Sequence, residues 1–396
     1  MRVLQINVVC GVGSTGRIAT DLHHHMLEKG YESHIAYGRG EARNCESIIR
    51  IGTKMDMYRH VAKTRVFDKH GFGSKRATRN FISQAEALNP DVIHLHNIHG
   101  YFLNIEILFE YLKQSKKKVI WTLHDCWSFT GHCSHFEYAN CDKWKTGCFS
   151  CSEKKEYPKS LIFDNSRANY SKKRDLFTGV KQMTLVTPSN WLANLVKQSF
   201  LGEYSTHVIH NGIDLNVFKP TTSDFRKENG LEKEFIILGV ASIWNYKKGF
   251  QYFLELSKQL EEDERILLLG LSEKQKRSLP SNIIGITRTN NLLELVELYS
   301  ASDVFLNPTL EDTYPTTNLE ALACGTPVIT FPTGGSGESI GEEQGIVTKT
   351  KDLVGIKQGI EEVKKGYKDG LYQGLGYGNE IFSKDIMGQE YLEIIS

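Results

Sequence analysis

The chain of 396 residues contains no run of about 18 apolar residues, the length an ordinary membrane-crossing helix needs. Its opening stretch "MRVLQINVVCGVG" has neither a long apolar segment nor a small-residue cleavage site, so the expected location is cytoplasmic. There is no internal repeat and no low-complexity tract, which excludes solenoid and fibrous architectures. No G-x-x-x-x-G-K-[ST] occurs, which argues against a P-loop, and no D-x-D pair stands where it would bridge a diphosphate through a metal. No recognised nucleic-acid motif accompanies the basic residues, so a nucleic-acid partner is not expected.

What is present is globular: 40% hydrophobic and 24% charged residues, in a length that suggests two domains. Short β-branched runs alternate with helical patterns throughout. "RVLQINVV", "SHIAYG", "DVIHLHN", "KVIWTLHD" and "MTLVTPS" occupy the first half; "FIILGVAS", "RILLLGL", "NIIGIT", "DVFLNPT" and "TPVITFP" the second. Near-continuous apolar strands separated by helices predict parallel sheets covered on both faces, hence an α/β chain of two Rossmann-like domains. The expected division is residues 1–205, with a Cys-rich insert near 126–151, then residues 206–380, and a final helix over 381–396 that is free to return to the first domain. In the first helix Ile18, Leu22 and Met26 recur every fourth residue and Gly30 stands at the expected cap.

The net charge of +1 conceals an asymmetry. Met1 to Asn190 carries 28 Lys and Arg against 18 Asp and Glu, or +10, while Trp191 to Ser396 carries 20 against 29, or −9. The first half therefore suits an anionic partner, although two solvated surfaces would look the same.

The densest chemistry lies in "LNPTLEDTYPTTNLEALACGTPVI", Leu306 to Ile329. Thr317 and Glu320 have the spacing of a capping box, and the N–H groups of Thr316, Thr317 and Asn318 would open a short helix at the C-terminal edge of a parallel sheet, where phosphate binds well. Asp312, just before that helix and beside a turn proline, has no evident core role.

These residues resemble the signature of the retaining, nucleotide-sugar-dependent glycosyltransferases of the GT-B fold, family 4: an acid, seven residues, then Glu before "A-x-A-C-G-x-P-V-I". The resemblance implies two domains whose sheets face across a cleft. It implies that Asp312, or neighbouring Glu311, holds the donor hexose and that Glu320 binds the ribose hydroxyls. "VASIWNYKKG" is similar to the segment whose Lys contacts the donor diphosphate, here Lys248 before Gly249. Ile243 and Trp244 stand where many members carry an Arg. "TGGSGESI" matches a donor loop through Gly334, Gly335 and Glu338, and "HNGIDLNVFKP" the hinge strand, with Asn211 to Asp214, Phe218 and Pro220.

Nearer the N-terminus, Gly11, Gly13 and Gly16 form a strand-to-helix turn that suits either phosphate approach or a tight turn alone; by resemblance Gly13 faces the donor. His124 in "WTLHDCW" takes, by resemblance, the place of an active-site His beside the donor sugar. His94 and His96 share a strand face and would border the acceptor; His23 to His25 are expected to be solvated. The implied reaction transfers a hexose, with retention of anomeric configuration and without a catalytic metal or other cofactor, from a nucleotide diphosphate sugar to a glycan or lipid-linked acceptor. Capsule, exopolysaccharide and O-antigen assembly are the settings it suggests. A GT-B epimerase or phosphorylase, or a two-domain protein that binds sugar without chemistry, are the other readings.

Two segments stand apart. Cys133, Cys141, Cys148 and Cys151, separated by seven, six and two residues, suit a closed structural zinc site, with disulfides or free thiols as alternatives. Residues 54–80 carry eight Lys and Arg against two Asp; with Met57, Val61 and the stem of Arg65 on one stripe, they suit either an anionic membrane surface at its inner face or plain solvation.

Overall fold

The computed structural model describes residues 1–376 and 380–396. The chain divides into two compact units, Met1–His210 together with Met387–Ser396, and Asn211–Ile386.

The first unit is built on seven strands: β1 (Arg2–Asn7), β2 (Glu32–Tyr37), β3 (Ile48–Arg50), β4 (Val92–Leu95), β5 (Lys118–Thr122), β6 (Met183–Thr187) and β7 (Thr206–Val208). They lie parallel in the order β3-β2-β1-β4-β5-β6-β7. The order reverses between β1 and β4, where Val3 pairs with Val92 and Ile6 with Leu95. Helices cover both faces, so the central strands are buried on both sides, and Val3, Leu4, Ile93, Val119 and Leu185 are fully buried. On one face Phe109, Trp121 and Phe177 pack together, with Phe109 and Phe177 centroids 4.4 Å apart. Truncating such a ring to Ala costs about 3–5 kcal/mol.

The division falls after His210 and not after residue 205. β7 still pairs with β6, Leu185 facing Thr206, and that ladder keeps residues 206–208 in the first sheet. The closing helix runs Lys384–Ile395, and its residues from Met387 onward belong to the first unit. There the Tyr391 hydroxyl meets Thr122 Oγ1 at 2.9 Å and Lys118 Nζ donates to the Ile395 carbonyl at 3.1 Å.

The helix Gly13–Glu28 buries Ile18, Leu22 and Met26 as its spacing predicts, and Gly30 follows at φ +80°. The adjoining histidines correct the expectation of solvation: His23 and His25 are buried and only His24 is exposed. His23 Nδ1 lies 2.9 Å from Ser33 Oγ, and His25 packs where a Cβ on Gly388 would lie 2.5 Å from its ring, so short helix–helix distances left no room for water. The basic segment is two helices, Lys54–Phe67 and Lys75–Leu88, of which the first buries His60 and Thr64; Met57, Val61 and Arg65 are only half-buried.

The second unit holds β8 (Phe235–Val240), β9 (Glu264–Leu269), β10 (Ile283–Ile286), β11 (Val304–Asn307), β12 (Val328–Thr330) and β13 (Gly345–Val347) in the parallel order β10-β9-β8-β11-β12-β13. Its switch point is between β8 and β11, where Ile237 pairs with Val304. The unit begins at Asn211, and Ile213 bridges Ser383 while Lys384 Nζ binds Asp214 Oδ2 at 2.6 Å, so its two chain ends are tied together. Among the described residues no helix is long and apolar enough to cross a membrane.

Candidate active site

In the second unit the chain leaves β8, β11 and β12 through three loops on the same sheet edge, the C-terminal ends of the strands. Gly249 is held at φ +76°, and a Cβ there would stand 2.3 Å from the Pro308 carbonyl oxygen, so only glycine lets the loop after β8 lie against the loop after β11. The two loops are then stitched: Leu310 N–H donates to the Lys247 carbonyl at 2.8 Å, and two ion pairs stand side by side. Lys247 Nζ meets Glu311 Oε2 at 2.8 Å, and Lys248 Nζ meets Asp312 Oδ2 at 2.7 Å. Gly335 N–H, from the loop after β12, donates to the Asp312 carbonyl at 3.3 Å. Lys248, Asp312 and Gly335, all singled out from the sequence, therefore meet across the switch point, where α/β sheets take their ligands.

The inner pair was not legible in advance. Glu311 is buried, and its Oε1 has no hydrogen-bond partner among the described residues.

The helix after Asp312 spans Thr316–Ala323 and starts from Pro315 without any side-chain cap. This corrects the capping box. Glu320 lies in the second turn, turned inward and 2% exposed, with its Oε2 accepting from the Tyr299 hydroxyl at 3.2 Å. A proline needs no N–H partner at the turn, so Thr317 and Glu320 are released from capping. Asn318 is fully buried; its amide donates to Ser339 Oγ at 2.8 Å and its carbonyl oxygen accepts from Asn307 at 2.8 Å. It positions the loop carrying Gly335 and Glu338 and leaves Thr316 and Thr317 half-buried at the helix start; Glu338 itself is exposed.

In the first unit the chemistry at the switch point is uncharged. Gly13, φ +67°, begins the first helix, and a Cβ there would meet nothing within 4 Å. Its neighbour Gly11 is the constrained one, since a Cβ would lie 2.1 Å from the Arg43 carbonyl oxygen. Across β1, β4 and β5 runs a hydrogen-bonded chain. Gln5 Nε2 donates to the Ala19 carbonyl at 3.0 Å, which leaves Gln5 Oε1 to accept from His96 Nε2 at 3.0 Å. A neutral His96 then accepts at Nδ1, 3.2 Å from His124 Nε2, so His124 carries its proton on Nε2 and its lone pair on Nδ1. Burial pushes the His124 imidazolium down to about 4 and that of His96 well below its usual range, so both are neutral near pH 7.

His94 and His96 share a face, as alternation predicts, with centroids 4.1 Å apart; His94 is fully buried against Thr122 and Tyr391 and borders no open surface. Beside them His99 Nε2 binds Asp125 Oδ2 at 2.9 Å and its Nδ1 meets the Tyr157 hydroxyl at 2.9 Å. Burial alone would raise the Asp125 carboxyl; His99 and the Trp127 N–H hold it at about 2. The "HD" dipeptide was the available signal for this pair, and only its His drew attention.

Among the described residues no three His, Cys, Asp or Glu side chains are gathered as a metal site. The Cys133 and Cys151 thiols hydrogen-bond each other, Cys148 Sγ accepts from Gly131 N–H at 3.2 Å, and Cys141 packs at the core's edge.

A doubly wound sheet with a lysine and close-packed glycines at its switch point has the build of an anion-binding α/β protein. The chain belongs to Glycosyltransferase Family 4: that domain matches residues 15–217, and the Glycosyl transferases group 1 domain matches residues 234–365. It is 26% identical over 375 residues to the putative colanic acid biosynthesis glycosyl transferase WcaC of Escherichia coli K12, covering 90% of each chain. It is 25% identical over 232 residues to the N,N'-diacetylbacillosaminyl-diphospho-undecaprenol alpha-1,3-N-acetylgalactosaminyltransferase of Campylobacter jejuni, covering 55% of this chain and 61% of that one. Among solved structures, Anabaena Alr3699/HepE in complex with UDP aligns with TM-score 0.68 and 13% identity over 100% of this chain and 99% of that one, a likeness of fold. The GT-B architecture expected from the sequence is thereby established.

Proposed function

We propose that this glycosyltransferase moves a hexose from a nucleotide diphosphate sugar to a lipid-linked glycan acceptor in cell-surface polysaccharide assembly, retaining the anomeric configuration. The observation that carries the reading is the Lys248–Asp312 pair across the β8/β11 switch point, 2.7 Å long and part-exposed. In that pair an ammonium and a carboxylate hold each other where a diphosphate and a sugar hydroxyl would separate them. Lys248 turns to the diphosphate, and Asp312 accepts from a hydroxyl of the hexose. The N–H groups of Thr316 and Thr317, half-buried at the helix start, add the positive end of a helix. Glu320 is assigned the ribose hydroxyls, His124 a donor-sugar hydroxyl through Nδ1, and Gly13, Gly335 and Glu338 the donor's flanks, all on the family motif.

In the reaction the bond from the anomeric carbon to the diphosphate oxygen breaks and its electron pair leaves with the diphosphate. The acceptor hydroxyl attacks from the same face and gives its proton to the departing phosphate oxygen. Lys248 stabilises the charge that develops there. The names of the Escherichia coli and Campylobacter jejuni relatives support the polysaccharide and lipid-diphosphate parts of the reading, and the UDP complex of HepE the nucleotide part.

The test is calorimetric titration of uridine and guanosine diphosphate sugars into the wild type and Lys248→Ala, followed by NMR of the product's anomeric proton. A single nucleotide sugar bound by the wild type and weakened at least about tenfold by Lys248→Ala is expected. Equal binding by both, or an inverted product, refutes it.

A further inference from the structure

Beside the His96–His124 chain lies a second hydrogen-bonded group, Asp125, His99 and Tyr157, to which neither the family motif nor the transfer chemistry gives a part. His99 follows β4 and Asp125 follows β5, so both stand at the C-terminal ends of neighbouring strands, next to the β1/β4 switch point. Tyr157 comes from the long connection between β5 and β6. Gly100, at φ +113°, lets the turn after β4 close on the one after β1, since a Cβ there would lie 2.3 Å from Val8 Cγ2.

The order of protons along the group follows from its charge. Asp125 is held ionised, at about 2, and a carboxylate only accepts: Oδ1 takes the Trp127 N–H at 2.8 Å and Oδ2 takes that of His99 Nε2 at 2.9 Å. When the imidazole is neutral its other nitrogen, Nδ1, is an acceptor, and the Tyr157 hydroxyl 2.9 Å away donates to it. The phenol proton is thereby engaged within the protein, and the oxygen keeps lone pairs that the carboxylate at the far end of the group makes more electron-rich. Burial pushes the phenol well above its ordinary range, so it stays protonated.

The group meets solvent mainly at the tyrosine: Tyr157 is 40% exposed, against 8% for the His99 side chain and 14% for that of Asp125. His70 packs edge-on to Tyr157 with ring centres 5.5 Å apart, and to Tyr101 at 4.7 Å. His70 Nε2 accepts from Gly100 N–H at 3.2 Å and burial keeps the ring neutral, so its proton sits on Nδ1, a buried donor with no hydrogen-bond partner among the described residues. Such a donor is relieved by a ligand oxygen. A part-exposed aromatic ring, an oxygen that accepts and an N–H that donates match a sugar, which has apolar C–H faces and hydroxyls that each give one hydrogen bond and take another. An anionic group brings acceptors alone, and the lone pairs of Tyr157 backed by the Asp125 charge repel it.

We propose that Tyr157 binds the terminal sugar of the acceptor, its oxygen accepting from one sugar hydroxyl and its ring lying against the sugar, with His99 and Asp125 as positioning residues that fix the direction of that hydrogen bond. The inference deepens the transfer reading and rests on it. Sugar binding is measured without nucleotide, so a negative result leaves the donor titration untouched.

The experiment is NMR titration at about pH 8 of the methyl glycosides of glucose, galactose, mannose and N-acetylglucosamine into the full chain, with nitrogen-15 spectra of His99. At least one glycoside should bind, and Tyr157→Phe should weaken it about tenfold at an unchanged melting temperature. In Asp125→Asn the Trp127 N–H keeps the amide oxygen at Oδ1, so the amide N–H faces His99 Nε2 and drives the ring proton to Nδ1, where it occupies a lone pair of Tyr157. That variant should also weaken binding about tenfold, and the double variant no more than about threefold beyond either single, because both act through one oxygen. The His99 proton should be on Nε2 in the wild type and on Nδ1 in Asp125→Asn. Binding of none of the glycosides, wild-type affinity in Tyr157→Phe, weakening in Tyr157→Phe that comes with a loss of melting temperature, a double variant weakened about a hundredfold, or a wild-type His99 protonated on Nδ1 would overturn it.

Discussion

The two units share one architecture and solve its switch point with opposite chemistry. All fourteen histidines of the chain lie in the first unit and none in residues 211–386. In the first, Gln5, His96 and His124 cross β1, β4 and β5 as a neutral hydrogen-bonded chain under heavy burial. In the second, Lys247, Lys248, Glu311 and Asp312 cross the gap between β8 and β11 as paired charges. A neutral imidazole can accept from a hydroxyl without drawing an anion, whereas a part-exposed ion pair is ready to be opened by one. The difference supports the proposed function, in which sugar hydroxyls fall to the first unit and the diphosphate to the second.

The strongest way to break that comparison is Lys248→Ala. Loss of its charge should lower kcat/KM for transfer by about 10²–10³-fold with an unchanged melting temperature, since the side chain is 41% exposed. His124→Ala should lower kcat by about 10²-fold. Gln5→Leu should lower it by about tenfold, because His96 loses the acceptor that fixes its tautomer and with it that of His124. A Gln5→Leu enzyme of full activity would separate the chain from the chemistry.

The comparison also has a pH signature. Burial holds His60 and His94 at about 3 and His124 at about 4, below the ordinary 6.5. The unfolded chain therefore takes up protons first as pH falls; the stabilisation is complete above about pH 6.5 and is lost progressively toward the folded values. Between about pH 7 and about pH 5 the first unit should lose on the order of 10 °C in melting temperature and the second, without histidine, far less. Hydrogen exchange resolved by peptide measures both at once, and equal loss of protection in residues 211–386 would contradict the assignment. The smallest effect is expected for Lys247→Gln, about threefold in KM with kcat little changed, because the inner pair positions the loop that carries Asp312.

The strands that anchor all this were readable because buried parallel strands are apolar on both faces: "KVIWT" and "FIILGV" allow no other reading. β3 and β13 escaped notice because three-residue edge strands carry no pattern of their own. At the site, Lys248, Asp312 and Gly335 were found through a motif, and the fold brought them together. Glu320 shows the limit of local spacing: Thr317 and Glu320 satisfy a capping pattern, but Pro315 begins the helix and a tyrosine from a neighbouring helix takes the carboxylate. The histidine chain was hidden for a different reason. Gln5, His96 and His124 lie 91 and 28 positions apart and meet only because β4 inserts between β1 and β5.

The return of Met387–Ser396 to the first unit also sets the order in which the protein is completed during synthesis. Ribosomes release the whole of the second unit before they release the residues that roof Thr122 and Val186, so the earlier-made half waits, with an uncovered sheet face, for residues 387–396. A gene cut after residue 210 would therefore yield a half lacking its own lid, and supplying residues 387–396 as a separate peptide should restore it.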